Sequence, residues 1–206
     1  MLDSKGFDLW ADNYDISVGI SDDDGSYPFA GYKKVLNYIY GEIMAGSEKT
    51  LLDIGFGTGI LTKKLYNKGF DIYGQDFSEE MLNIAKDKMP EAKLYKGDFT
   101  LGLVSELKQR QYDAVIATYS LHHIIDDEKP AFIKELMQLL NEHGKIYIGD
   151  VAFTTRKETE KCKETYQEEW DDEEHYFVID EIKEYFPSLS FIPFSHCAGV
   201  IVLERV

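Results

Sequence analysis

The residues best equipped for chemistry gather first at Leu51-Leu52-Asp53-Ile54-Gly55-Phe56-Gly57-Thr58-Gly59, an apolar run that ends in three alternating glycines. Glycines in that pattern suit a tight turn whose backbone a ligand must approach more closely than a Cβ allows. An acid, Asp76, closes the next apolar run, and together the two features imply a nucleotide-like ligand. A dinucleotide fingerprint, G-x-G-x-x-G, would need glycine at position 60, where the chain has Ile60. Asp53 argues the same way, because a carboxylate beside the loop attracts a cationic ligand end and repels a pyrophosphate. A second cluster, Thr118-Tyr119-Ser120-Leu121-His122-His123-Ile124, sets two imidazoles side by side. Histidine accepts a proton near neutral pH, so His122 or His123 could deprotonate an attacking oxygen, nitrogen or sulfur. Metal ligation by this pair with Asp126 or Asp127 has no further matched pair in support, and no metal is expected.

These groups need elements to hold them. Short apolar runs at Thr50 to Ile54, Asp71 to Gln75, Lys93 to Tyr95, Ala114 to Thr118 and Lys145 to Ile148 read as buried strands. Amphipathic stretches at Ile60 to Asn67, Glu79 to Met89, Leu101 to Lys108 and Glu128 to Asn141 read as the helices between them. This alternation is that of an α/β sheet with parallel strands and crossover helices. Ser78 is expected as an N-cap, Gly69 and Pro90 as helix stops, and Gly144 as the end of the helix before the fifth strand. Gly31 to Met44 reads as a helix, preceded by the polar, turn-forming cluster Ser21 to Ser26, which suggests a lid. Arg156 to Asp172 and Asp180 to Tyr185 read as helices, and Leu189 to Phe194 and Gly199 to Leu203 as closing strands.

The series Asp-x-Gly-x-Gly-x-Gly from Asp53 to Gly59 resembles the first motif of class I S-adenosylmethionine-dependent methyltransferases, in particular the small-molecule, ubiquinone-biosynthesis-like type, and suggests a small bacterial subgroup. The resemblance implies a Rossmann-like doubly wound sheet, mostly parallel, of seven strands with an antiparallel last strand and helices on both faces. It implies that Asp53, Gly55, Gly57 and Gly59 hold the cofactor and that Asp76 accepts from both ribose hydroxyls. Phe77 would border the adenine, Asp98 would accept from its amino group and Phe99 would pack on its ring. Thr118 and Tyr119 would pass the methionine end. Phe7-Asp8-Leu9-Trp10-Ala11-Asp12-Asn13-Tyr14-Asp15 is similar to the family's Trp-Ala-x-x-Tyr-Asp opening, so Tyr14 would lie over the cofactor and join His122 and His123 at the reacting side. Tyr32 and Lys33 stand, by position alone, where a carboxylate-binding group is wanted. The implied reaction is in-line transfer of a methyl group to a small-molecule acceptor, with S-adenosyl-L-methionine as cofactor. A nicotinamide-dependent oxidoreductase and a non-catalytic S-adenosylmethionine-binding module are the alternatives.

Composition bounds the rest. The 206 residues, 44% hydrophobic, suit a single domain. The resemblance implies, within it, an N-terminal helical cap or lid at 1–48, the cofactor-binding core at 49–150 and acceptor-side helices and closing strands at 151–206. A formal charge of -16 would repel a phosphate backbone, and no basic stripe offsets it, so nucleic acid is disfavoured as a partner. The longest apolar stretches are about half of the roughly 20 residues a membrane helix needs. Only Cys162 and Cys197 occur, without metal-ligand spacing, and no secretory signal is visible, so a cytoplasmic location is expected. The segment Thr165 to Tyr176, with Trp170 and His175, could line the acceptor pocket, where acidic surroundings would favour a cationic or amine-bearing acceptor. Oligomeric state is not encoded in any motif.

Overall fold

Alternating side chains along each strand reach both faces of the sheet, and each face has its own core. In the computed structural model, which describes residues 25–47 and 49–205, the elements in order are α1 (Tyr32–Ala45), β1 (Thr50–Ile54), α2 (Ile60–Tyr66), β2 (Asp71–Asp76), α3 (Glu79–Lys88), β3 (Lys93–Lys96), β4 (Tyr112–Thr118), α4 (Lys129–Gln138), β5 (Leu140–Phe153), α5 (Arg156–Thr165), β6 (Phe177–Val178), α6 (Ile179–Ile182), β7 (Ser190–Pro193) and β8 (Ala198–Glu204). Leu52 and Ile54 of β1, Val115 and Ala117 of β4, and Ile146 and Ile148 of β5 pack with Phe132, Ile133 and Leu136 of α4 and Ile179 and Ile182 of α6. The residues between them, Leu51, Ala114, Ile116 and Tyr147, pack on the opposite face with Val35, Leu36, Ile39 and Ile43 of α1, Leu61 and Leu65 of α2, and Leu82 and Ala85 of α3. Burial on both sides is why these strands read as near-continuous apolar runs.

The strand order is β3-β2-β1-β4-β5-β8-β7. β1 to β5 are parallel, β8 runs antiparallel to β5, and β7 pairs antiparallel with β8. The expected seven-stranded doubly wound sheet is therefore present, with a two-residue strand, β6, added beside the end of β5. Leaving β1 the chain winds outward to β2 and β3, then returns to β4 on the other side. That reversal between β1 and β4 is the place where open α/β sheets form a cleft at the carboxyl ends of their strands. Among the described residues, no helix is long and apolar enough to cross a membrane.

Three local expectations change. The stretch Leu101 to Lys108 is not an α-helix: it contains single turns at Phe99–Leu101 and Leu107–Gln109, separated at Gly102 with φ 106°. The buried Gln75 amide explains this, since its Nε2 donates to the Gly102 carbonyl and its Oε1 accepts from the Val104 amide, which removes both groups from helix bonding. Gly144 does not end a helix. α4 stops at Gln138, and β5 starts at Leu140, bulges between its pairings with Tyr112 and Ala114, and continues through Gly144 to Phe153. Its length comes from partners: β8 extends it to Val151, and β6 pairs Ala152 and Phe153. α5, begun by a capping box between Thr155 and Glu158, ends at Thr165, short of Asp172. The chain beyond it folds back because Trp170 stacks on Tyr27 with ring centroids 5.3 Å apart, and Tyr166 stacks on His196 at 5.6 Å. Ser78 caps α3 as expected, accepting from Met81 N.

Candidate functional site

β1 delivers the chain into Gly55-Phe56-Gly57-Thr58-Gly59, with φ of 69°, 53° and 75° at its glycines. A side chain on Gly55 would bring a Cβ within 2.5 Å of the Ser120 Cβ, because Ser120 is drawn against the loop by its hydroxyl's hydrogen bond to the Ile54 carbonyl. At Gly57 no atom of the described residues stands within 4 Å of such a Cβ, so glycine there answers to the backbone angle and to open approach. Beside this turn is a cavity of about 180 Å³ at the β1/β4 switch point, lined by Asp53, Gly55, Phe56, Gly57, Thr58 and Thr62 from one side and Phe29, Tyr32, Thr118 and Tyr119 from the other. The rings of Phe29 and Tyr32 lie 5.7 and 4.8 Å from that of Tyr119.

Asp53 is 1% exposed. Its Oδ2 accepts from the Thr62 hydroxyl, while Oδ1 has no partner among the described residues. Burial pushes its pKa up to about 7, against the pull of Thr62 and with a further push from Asp76. A buried, unpartnered carboxylate oxygen on a residue that lines a cavity is a standing demand for a hydrogen-bond donor, best of all a cationic one. Asp76 ends β2, with Oδ2 accepting from Gly57 N at 2.8 Å and Oδ1 from Ser78 N at 2.9 Å. Each oxygen keeps lone-pair capacity for a further donor.

The expected adenine-side residues separate. Phe77 is exposed, whereas Phe99 is buried in the core against Gly55, so Phe77 is the ring open to a ligand. Asp98 is exposed and caps the turn after β3 through Oδ1, which accepts from Thr100 N and Oγ1. Tyr32 lines the cavity, Lys33 does not, and Tyr14 lies outside the described residues.

Beyond β4, a single turn at Leu121–His123 sets the histidines side by side, with ring centroids 4.3 Å apart. His122 is buried, its Nδ1 2.7 Å from Oδ1 of Asp150 and its Nε2 3.5 Å from Oε1 of Glu174. His123 is exposed. Burial lowers the pKa of His122, but Asp150 and Glu174 outweigh it and the net shift is upward. His123 shifts downward, through burial and then through His122. Because carboxylates face both ring nitrogens of His122, its readiness to act as a free base is reduced. Asp126, the acid that sequence spacing offers to the pair, instead binds Lys129 at 2.6 Å. Asp150 and Glu174 were not foreseen. A carboxylate inside the apolar strand Ile146 to Phe153 was the available signal, since a buried charge needs a partner. Glu174 had none, being one of many acids in its segment.

Fold and cleft together define the class: a Rossmann-like, doubly wound α/β protein of class I methyltransferase architecture with its pocket at the switch point. A family model described as a methyltransferase domain matches residues 51–144. An uncharacterised methyltransferase of Geobacillus sp. (strain WCH70) is 35% identical over 187 residues, 90% of this chain and 83% of that protein. Another, from Alkaliphilus oremlandii (strain OhILAs), is 32% identical over the same shares. The chain belongs to the methyltransferase family. In fold it is similar to magnesium protoporphyrin IX methyltransferase from Synechocystis PCC 6803 with bound SAH, with a TM-score of 0.69 and 20% identity over 98% of this chain and 95% of that one. It is also similar to an amino pentose methyltransferase from Micromonospora echinaspora with bound SAM, with a TM-score of 0.64 and 13% identity over 94% and 98%.

Proposed function

We propose that the protein transfers a methyl group from S-adenosylmethionine to a small-molecule acceptor and releases S-adenosylhomocysteine. The observation that carries this reading is Asp53: a buried carboxylate with one unpartnered oxygen lining a cavity beside an open glycine turn. That arrangement favours a ligand with a nucleoside at one end and an ammonium at the other, and disfavours a pyrophosphate. When bound, S-adenosylmethionine supplies an electrophilic methyl on a sulfonium, open to in-line displacement. Asp53 takes the ammonium, the Gly55 to Gly59 backbone lets the ligand lie close, Asp76 accepts from the ribose hydroxyls, and Phe77 and Asp98 border the base. Phe29, Tyr32, Thr118 and Tyr119 wall the methionine end. Their task is to hold the reactants at near-attack distance and keep water out. His123, whose ring is exposed, is the histidine of the pair left to take the acceptor's proton, while His122 is held by Asp150 and Glu174. Among the solved structures similar in fold, names that give an acceptor include a magnesium porphyrin, plantazolicin and an amino pentose, which supports a small-molecule acceptor class. Two free, buried cysteines suit a reducing, cytoplasmic setting. The chain acts as one domain, with α1 part of the core beneath the sheet and the 151–205 part supplying the acceptor side.

Calorimetric titration with S-adenosylmethionine, and separately with NADH, tests the reading. The first should bind one to one and the second not at all. Asp76→Asn should weaken binding at least about tenfold, the worth of a hydrogen bond to a charged acceptor, with unchanged circular dichroism. Binding of NADH alone, or of neither, would overturn the proposal.

A further inference from the structure

We infer that His122, His123 and Glu174 form a binding site for a divalent cation of the zinc class, in the turn that follows β4. One ligand atom from each of the three lies within 4.8 Å of the others. Tetrahedral zinc with arms of about 2.0–2.2 Å holds its ligand atoms roughly 3.4 Å apart. His122 Nε2 and Glu174 Oε1 stand 3.5 Å apart, which matches that edge and is too long for a strong hydrogen bond. A nitrogen of His123 stands within 4.8 Å of both, and its exposure leaves the site open to solvent, as metal entry requires.

The surroundings are built as metal sites are built. A ligating histidine donates its other ring nitrogen to a carboxylate, and a ligating carboxylate is itself hydrogen-bonded. Asp150 meets His122 Nδ1 at 2.7 Å, which fixes the ring and leaves Nε2 toward Glu174 Oε1. The Tyr176 hydroxyl donates to Glu174 Oε2 at 2.6 Å, which leaves Oε1 turned to the histidine, and the Tyr27 hydroxyl bonds Tyr176 in turn. The backbone joins the halves, with His175 N donating to His122 O at 2.8 Å. Lys129, the nearby cation, is held by Asp126 and the His175 carbonyl. Two histidines and one carboxylate make a three-ligand set that leaves a fourth position for water or for an acceptor oxygen or sulfur. This last point rests on the methyl-transfer reading; the site itself does not.

Chelator-treated full-length protein titrated with Zn²⁺ alone, without S-adenosylmethionine, tests the site apart from the cofactor reading, and Co²⁺ absorption reports the ligand geometry. One equivalent should bind, with the visible spectrum of a four-coordinate nitrogen and oxygen site. Glu174→Gln and His123→Ala change partly or fully exposed groups and should fold as the parent does, yet each should weaken binding about 100-fold. Tyr176→Phe should weaken it about tenfold, within the 10–100-fold range for outer partners. No saturable one-to-one binding, or equal binding by parent and variants, as adventitious capture by the acidic surface would give, overturns the inference.

Discussion

At the residue scale Asp53 carries the sharpest consequence, because its burial raises its pKa from the ordinary 3.8 to about 7. A raised carboxyl contributes stability that is complete at pH values below its unfolded value and is lost as pH rises through about 7. Above that pH the ligand-free protein holds a buried, ionised carboxylate whose Oδ1 has no partner among the described residues, and a cationic ligand reverses the preference. Affinity for S-adenosylmethionine should therefore climb as pH rises toward 7, by up to about tenfold per unit, and level off beyond. Calorimetry from about pH 5.5 to 8 measures this. Asp53→Asn should flatten the slope, and a slope unchanged in that variant would assign the titration to another group. His122 shows the complementary lesson: its type suggested a base, and the neighbours that set its orientation, Asp150 from β5 and Glu174, come from distant parts of the chain.

At the scale of elements, the turn between β1 and α2 does two separable jobs. Gly55 packs against Ser120 and ties β1 to the end of β4, whereas Gly57 faces open space. Gly55→Ala adds a steric overlap to the cost of a left-handed backbone, and should destabilise the protein by about 3 kcal/mol or more. Gly57→Ala carries only the backbone cost, about 1–2 kcal/mol, but places a methyl where the ligand approaches. Chemical denaturation and calorimetry on the pair should show the first variant impaired mainly in stability and the second mainly in affinity. Equal losses of stability would mean that Gly57 is packed as tightly as Gly55. The segment after β3 belongs to the same scale, since its helical pattern yields to a single buried amide, Gln75, that claims its backbone.

For the molecule as a whole, the cleft lies where the two halves of the sheet part, so a ligand there bridges α1, β1 and β4 and should stabilise the fold globally. At 100 times its dissociation constant, S-adenosylmethionine should add about 2.7 kcal/mol, a rise in melting temperature of roughly 5–10 °C for a chain of this size. Scanning calorimetry with and without cofactor checks this, and no rise would mean that the pocket does not take it. The order of strands and helices, the glycine turn and Asp76 were legible in the sequence because they rest on short-range periodicity and spacing. The same local information placed Ser78 as a cap. What only the tertiary structure decided was which distant groups meet: Asp150 and Glu174 about His122, Thr62 on Asp53, Gln75 across the 102–104 backbone, and the full length of β5. Periodicity records the face a residue turns to the core, whereas partners separated by 28 or 66 residues, as in Asp150 with His122 or Ser120 with Ile54, are chosen by how the sheet closes.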